Sequence, residues 1–306
     1  MNKTTIEWTD YTWNPVTGCH KVSRGCKNCY AEVIANRFWK GRSFRDVQMH
    51  SERLNEPLGM RHKLHDKSVF VCDVSDLFHE DVSFEFIREV WKVFVQMPYT
   101  YFQVLTKRPD RALEWYKWQS KIDGWLFRDP PANVWIGTSC EDQAAADERI
   151  PLLLQIPATV RFLSCEPLVG SIDLQQFLFR PVFHGSPADI EPNNQLHWII
   201  AGGESGHGAT PMHPDWVRSL REQCKAANVP FFFKQWGEWR PALHGEIVPL
   251  KGSKFIRNDG NVFDLPFGIE AVTGKPEPIT FLPLIRLGKS KAGNLLDGVQ
   301  HLEFPA

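Results

Sequence analysis

No charge of either sign dominates this chain. Its 35 Lys and Arg stand against 36 Asp and Glu, a formal net charge of −1. A protein whose charges cancel has no global field to draw it to nucleic acid or to a membrane surface, so a polyanionic partner must be held by a local patch. Missing too is any stretch near the roughly 18 consecutive apolar residues of a membrane span, and no basic segment followed by an apolar run opens the sequence. The cytoplasm is the expected compartment, with no membrane partner. Cysteines are few: seven in 306 residues, an odd number. In a chain without a secretory signal that count argues against a disulfide framework and leaves metal binding or redox chemistry for any tight cluster.

Aromatic residues, by contrast, are plentiful: 12 Trp and 21 Phe within a 42% hydrophobic composition. That content fills the core of one large domain or two small ones, and leaves rings for stacking flat ligands. From residue 68 a βα alternation recurs. Apolar runs rich in β-branched and aromatic residues occur at 68–75, 100–107, 133–140, 159–166, 196–203 and 230–236. Near-continuous apolar runs mark strands buried on both faces of a parallel sheet. Between them lie helical stripes, Phe84, Ile87, Trp91, Phe94 and Val95 in one and Trp216, Leu220, Cys224 and Ala227 in another. Tyr30, Val33, Ile34 and Phe38 repeat that spacing after the cysteines.

With a first strand around Thr12 to Val16, six or seven right-handed βα units predict an α/β fold. The economical closure is a TIM-like (β/α) barrel, complete or partial, over residues 1–239; an open doubly wound sheet is the second choice. Residues 172–195 read as an insertion loop. Residues 240–306, with seven prolines and little periodicity, read as an irregular C-terminal cap packed on the barrel.

In parallel βα folds the ligand lies beyond the carboxyl ends of the strands. Here the apolar runs end in Asp73 and Asp76, in Lys107 and Arg108, in Ser139 and Glu141, in Glu166, in "GGESG" at 202–206, and in Lys234 and Gln235. Some of these cap helices or pair with each other, but both charge signs converge on one rim. Lys107, Arg108 and Lys234 are candidates to contact phosphate or carboxylate, and Asp73, Asp76 and Glu166 to position hydroxyls or carry protons. These six form the candidate catalytic set. "GKS" at 288–290 is not a phosphate loop, because Pro283 stands where the pattern needs glycine. Lys289 and Lys291 lie beside it, within reach of the barrel mouth.

Cys19, Cys26 and Cys29 fall inside eleven residues, in "TGCHKVSRGCKNCYAE". The other four, Cys72, Cys140, Cys165 and Cys224, are dispersed in apolar settings that suit buried inert thiols. Structural zinc wants four closed ligands and would have to recruit His20 or a distant residue. A redox dithiol would leave Cys19 idle. A [4Fe-4S] cluster on three thiolates keeps one iron open, and S-adenosyl-L-methionine chelated there would supply radical chemistry.

The stretches "IEWTDYTWNPVTGCHKVSRGCKNCYAE", "DLFHEDV", "QVLTKRPDR", "RFLSCEPLVGSIDL", "GGESG", "MHPDWVRSLREQC", "PFFFKQWGEW" and "AGNLLDG" resemble the phage-associated three-Cys-motif proteins, a family similar to radical S-adenosylmethionine enzymes. The resemblance runs nearly the whole chain. It implies a barrel of the radical-enzyme type with Cys19, Cys26 and Cys29 as cluster ligands. It further implies cofactor-binding roles for Tyr30, which follows the last cysteine, and for Gly202, Gly203, Glu204 and Ser205 toward the amino group of the cosubstrate. A nucleic-acid or nucleotide substrate is the expectation from the phage association, "LTKRPDR" and the aromatic content. The alternatives are a non-catalytic zinc module recognising DNA or a partner protein, and a metal-independent hydrolase using the rim carboxylates.

Overall fold

The structure, a computed structural model, describes residues 1–122, 130–178, 195–243, 246–248, 252–257, 259–264 and 281–305. Its strands are β1 (Asn2–Lys3), β2 (Tyr11–Trp13), β3 (Val16–Thr17), β4 (Gln48–Met49), β5 (Lys67–Val71), β6 (Thr100–Thr106), β7 (Val134–Ser139), β8 (Val160–Cys165), β9 (Trp198–Gly202), β10 (Phe231–Gln235), β11 (Trp239–Pro241), β12 (Lys254–Arg257), β13 (Val262–Asp264) and β14 (Phe281–Arg286). The helices are α1 (Tyr30–Phe38), α2 (Glu56–Gly59), α3 (Arg61–Leu64), α4 (Phe84–Gln96), α5 (Pro109–Ile122), α6 (Gln143–Leu154), α7 (Gln175–Leu178), α8 (Pro214–Ala227) and α9 (Lys289–Ala292).

Eight strands form one sheet in the order β1-β2-β5-β6-β7-β8-β9-β10. Only the short β1 runs antiparallel to its neighbour; every other pairing is parallel. The six apolar runs expected to be strands each hold one, ending one to four residues short of the run, and β5 starts one residue early at Lys67. Alternation sorts their side chains. Val69, Val71, Val104, Ile136, Leu163, Ile199 and Phe233 face the helical layer and its large core. Phe70, Phe162, Trp198, Ile200 and Phe232 face the other way, gathered around Trp8. Helix starts are fixed locally: Ser83 accepts the Phe86 N–H, Asp142 accepts the Ala145 N–H at 3.0 Å, and Pro214 opens α8.

The Trp8 ring lies 4.7 Å from Phe70 on β5 and 6.2 Å from Trp198 on β9. Four strand spacings separate β5 from β9, about 19 Å in a flat sheet. One indole can touch both only because the sheet curls around it. Gly137 belongs to the same packing, since a side chain there would meet the Phe162 ring at 2.6 Å. The fold is therefore α/β with a curled, mostly parallel eight-stranded sheet, and no ladder joins β1 to β10 among the described residues. Instead the C-terminal segment lies along β10, with Leu302 bridged to Phe232.

Three expectations are corrected or fall outside the described residues. The region expected to be an irregular cap carries a four-stranded antiparallel sheet, β11-β14-β12-β13. It reads as irregular because Pro283 sits in an inner strand, opposite Phe255, where a missing N–H ordinarily argues against a strand. Of the α1 stripe only Ile34 packs inward, against the small buried cluster of Ala31, Ala35, Phe44 and Val74. The helix buries Ala31 and Ala35 and leaves Tyr30, Val33 and Phe38 exposed, and on α4 Val95 is exposed too. Of the expected insertion at 172–195, residues 179–194 lie outside the described residues. No helix among the described residues is long and apolar enough to cross a membrane.

Replacing Trp8 removes the body around which the sheet curls. Trp8→Ala is expected to lower unfolding stability by about 3–5 kcal/mol, the cost of deleting a buried large aromatic, with Trp8→Phe losing much less. Chemical denaturation of the three proteins checks this.

Candidate active site

The cysteine loop lies across the carboxyl ends of the strands and is tied to four of them. Gly18, with φ +94° and the Asp46 carbonyl 2.5 Å from where a Cβ would stand, opens the loop and donates its N–H to the Val74 carbonyl after β5. After β6, Arg108 donates from Nη1 to Cys19 Sγ (3.6 Å) and from Nη2 to the His20 carbonyl (3.3 Å). After β7, Glu141 Oε1 accepts the Gly25 N–H (3.2 Å), and Asp142 pairs with Arg24 (3.3 Å). After β9, Glu204 Oε2 accepts from Asn28 Nδ2 (3.0 Å), which also donates to the Gly208 carbonyl. Beneath this roof is a cavity of ≈ 350 Å³ whose lining includes Cys19, Cys26 and Cys29. Trp8 and Phe70 contribute apolar surface to it.

The three thiols are half-buried and free. Burial and the nearby Asp76 charge push the Cys19 thiol up to about 12, against the opposing pull of Arg108. A metal must therefore displace a proton there. A tetrahedral zinc ion, with Zn–S near 2.3 Å, keeps its sulfurs within about 4 Å of one another. Among the described residues the group of three ligand atoms that all lie within 4.8 Å is not the cysteines but His20, His79 and Glu80. Thiolates on separate corners of an iron–sulfur cluster stand further apart than those on one ion. The donor set, three thiols on one roof facing one cavity, is of a kind that holds a metal ion or an iron–sulfur cluster.

The histidine group has a different use. His79 Nδ1 accepts the Asp81 N–H (3.1 Å), so its neutral form carries the proton on Nε2 and offers a metal no lone pair. His20 bonds Glu80 Oε1 through Nδ1 (3.2 Å) and the Arg45 carbonyl through Nε2 (3.0 Å). The trio clasps the start of the cysteine loop.

All six candidate catalytic residues line the cavity, as do Tyr30, Gly203, Glu204 and Ser205. Their engagements differ. Asp76 is saturated: Oδ1 accepts from the Phe78 N–H and Thr106 Oγ1, and Oδ2 from the Lys107 N–H and Arg108. Arg108 closes the set with Glu80 (2.9 Å). Glu166 accepts from both Lys234 Nζ (2.7 Å) and Gln235 Nε2 (3.0 Å). Asp73 accepts from Asn14, and desolvation outweighs its hydrogen bonds to hold its carboxyl above the ordinary aspartate range. Tyr30 donates its hydroxyl to the Asp73 carbonyl; the ring is half exposed, but burial of the phenol oxygen pushes its pKa well up.

Gly203 serves packing. Its N–H goes to the Gln235 carbonyl, and a side chain would meet the Trp236 carbonyl at 2.0 Å. Gly202 ends β9 against the Glu166 carboxylate. Glu204 is buried and, besides Asn28, accepts the Thr210 N–H (2.6 Å) on Oε2; its Oε1 has no partner among the described residues. Ser205 follows, half-buried. Lys289 also lines the cavity, 4.0 Å from Glu7.

Three contributors have roles that the sequence does not signal. Asn28 and Glu141 anchor the roof, and their partners lie 176 and 116 residues away in the chain, beyond any local pattern. Cys72, read as a dispersed thiol, is buried as expected, yet it also lines the cavity with a φ of +64° at the end of β5. Cys140, Cys165 and Cys224 are buried away from it.

A cavity at the strand ends of a parallel α/β sheet, roofed by a loop carrying three free thiols, is the kind of place where such folds bind ligands. Over residues 3–305 the chain matches the family described as "Protein of unknown function (DUF5131)", and it belongs to that family. Comparison with curated proteins and with solved structures gives no match. The family description assigns no activity, so phage association and kinship to radical enzymes rest on the motif resemblance alone.

The anchors differ in strength. Arg149 and Glu141 form a buried pair (3.0 Å, 5% and 2% exposed), whereas Arg24 is 74% exposed. Glu141→Ala strands a buried guanidinium and frees Gly25; it should cost about 3–5 kcal/mol and speed proteolysis within residues 19–29. Arg24→Ala should change stability by less than about 1 kcal/mol. Denaturation curves and limited proteolysis read both.

Proposed function

We propose that this protein is a radical S-adenosylmethionine-type iron–sulfur enzyme acting on a nucleotide or nucleic-acid substrate, its curled sheet serving as a partial (β/α) barrel. The observation that carries the reading is the seat of the thiols: Cys19, Cys26 and Cys29, all free, share one roof over one cavity at the carboxyl ends of the strands. These three would hold a [4Fe-4S] cluster and leave one iron for S-adenosyl-L-methionine. Once reduced by an external donor, a cluster and S-adenosyl-L-methionine held there would supply one-electron cleavage chemistry at a sulfonium carbon–sulfur bond.

The chain's own residues do the rest. Arg108 fixes Cys19 and, with Asp76 and Glu80, seals that side of the roof. Glu204 steadies Asn28 with one carboxylate oxygen and keeps the other for a donor such as an ammonium group. Asp73 retains its proton to higher pH than a solvated aspartate and is placed to give or take one inside the cavity. Trp8 and Phe70 offer apolar surface against which a flat ring can lie. A cavity of ≈ 350 Å³ takes a nucleoside-sized molecule or one extruded base, not a duplex. The near-zero net charge agrees, because tight sequence-independent binding of duplex needs many cationic contacts.

Anaerobic reconstitution with iron and sulfide tests the proposal. It predicts about four irons per chain, and 5′-deoxyadenosine on addition of reductant and S-adenosyl-L-methionine. Cys26→Ala should lose both. About one zinc per chain and no iron uptake, or turnover that survives Cys19→Ala, would contradict it.

A further inference from the structure

The cations of the cavity are not equivalent. Arg108 is closed by Asp76 and Glu80, Lys234 by Glu166, and Lys289 stands 4.0 Å from Glu7. Lys107 has no carboxylate within salt-bridge distance and no side-chain hydrogen bond among the described residues. Its backbone is nonetheless fixed, with its N–H bonded to Asp76 Oδ2 at 3.1 Å. The nearby Glu141, on which its charge acts, is already held by Arg149 and the Gly25 N–H.

Two hydroxyls stand beside Lys107. Thr106 pairs with Thr138, which puts Lys107 level with Ser139, and Ser139 pairs with Ser164 on the next strand. Directly paired positions on a sheet bring Cβ atoms to about 5 Å, and all three residues line the cavity. Ser139 and Ser164 are each 4% exposed, and neither hydroxyl has a partner among the described residues. Both residues are almost wholly buried and their unpartnered hydroxyls open onto the cavity, so at the ends of three adjacent strands they and the unpaired ammonium form a vacant set of donors. Close by, Gln235 lines the same cavity with its carbonyl oxygen buried and unpartnered.

We infer that Lys107, Ser139 and Ser164 form an oxyanion subsite that holds a phosphate group of the molecule bound in the cavity. Phosphate rather than carboxylate follows from the donors. Planar carboxylates are best met by the two-pronged guanidinium, and the cavity's Arg108 is spent on Asp76, Glu80 and the roof. A point-charge ammonium with two rotatable hydroxyls suits a tetrahedral anion. Gln235 is left to accept from a donor on the remainder of the same molecule. The subsite goes beyond the radical-enzyme reading and does not depend on what the cysteines bind.

Calorimetric titration of the full chain, purified without iron, separates the two. Inorganic phosphate and adenosine 5′-monophosphate are expected to bind and to compete, with adenosine and acetate much weaker. Losing a charged hydrogen bond, Lys107→Met should weaken the monophosphate by more than about tenfold, while Lys107→Arg retains most of the affinity. Ser164→Ala should weaken it by about threefold to tenfold with an unchanged melting temperature, which keeps the test open if Lys107→Met unfolds. Equal affinity for adenosine and its monophosphate, undiminished binding by Lys107→Met or Ser164→Ala, or acetate displacing phosphate on equal terms would each overturn the inference. None of these results bears on iron uptake.

Discussion

One buried guanidinium ties the first cysteine of the loop to the sheet. Arg108, 7% exposed, reaches Asp76 and Glu80 on one side and Cys19 and the His20 carbonyl on the other. Its partners are acidic, so burying it costs little net charge, and the hydrogen bonds it makes to the loop are of the stronger, charge-assisted kind. Without that tie Cys19 would keep only backbone anchors, its own N–H to the Phe44 carbonyl and that of Gly18 to the Val74 carbonyl. With it, the first sulfur is fixed relative to β5 and β6, and Glu141, Asn28 and Glu204 fix the rest relative to β7 and β9.

The rim thus divides into residues that build the roof and residues left to meet a ligand. Asp76, Arg108 and Glu141 belong to the first group, with every strong donor or acceptor already matched. Lys107, Asp73 and one oxygen of Glu204 belong to the second. Glu166 and Lys234 satisfy each other and form a stiff polar wall. Charge balance alone would not have made this division, because both groups carry both signs. Hydrogen-bond saturation makes it.

Much of the scaffold was legible in the sequence because parallel strands covered on both faces leave unbroken apolar runs, and those at 68–75 through 230–236 all hold strands. The second sheet was not legible, since Pro283 in an inner strand masks the alternation of β14. The α1 stripe misled for another reason: periodicity reports an apolar face, not which face packs. There Ala31 and Ala35 let the helix sit close with Ile34 beside them, and Tyr30, Val33 and Phe38 face outward. At the site the cysteine cluster was plain from its spacing, and the charged strand ends from their position. The pairings that give each of them a role, such as Asn28 with Glu204, join residues too far apart in the chain for any local signal to connect them.

A four-iron cluster held by Cys19, Cys26 and Cys29 would leave one iron open to the cavity. Electron paramagnetic resonance of the reconstituted, reduced protein tests it most directly. The account predicts a four-iron signal that changes when S-adenosyl-L-methionine is added and is lost in Cys29→Ala. A signal indifferent to the added compound, or one that persists without Cys29, would contradict it.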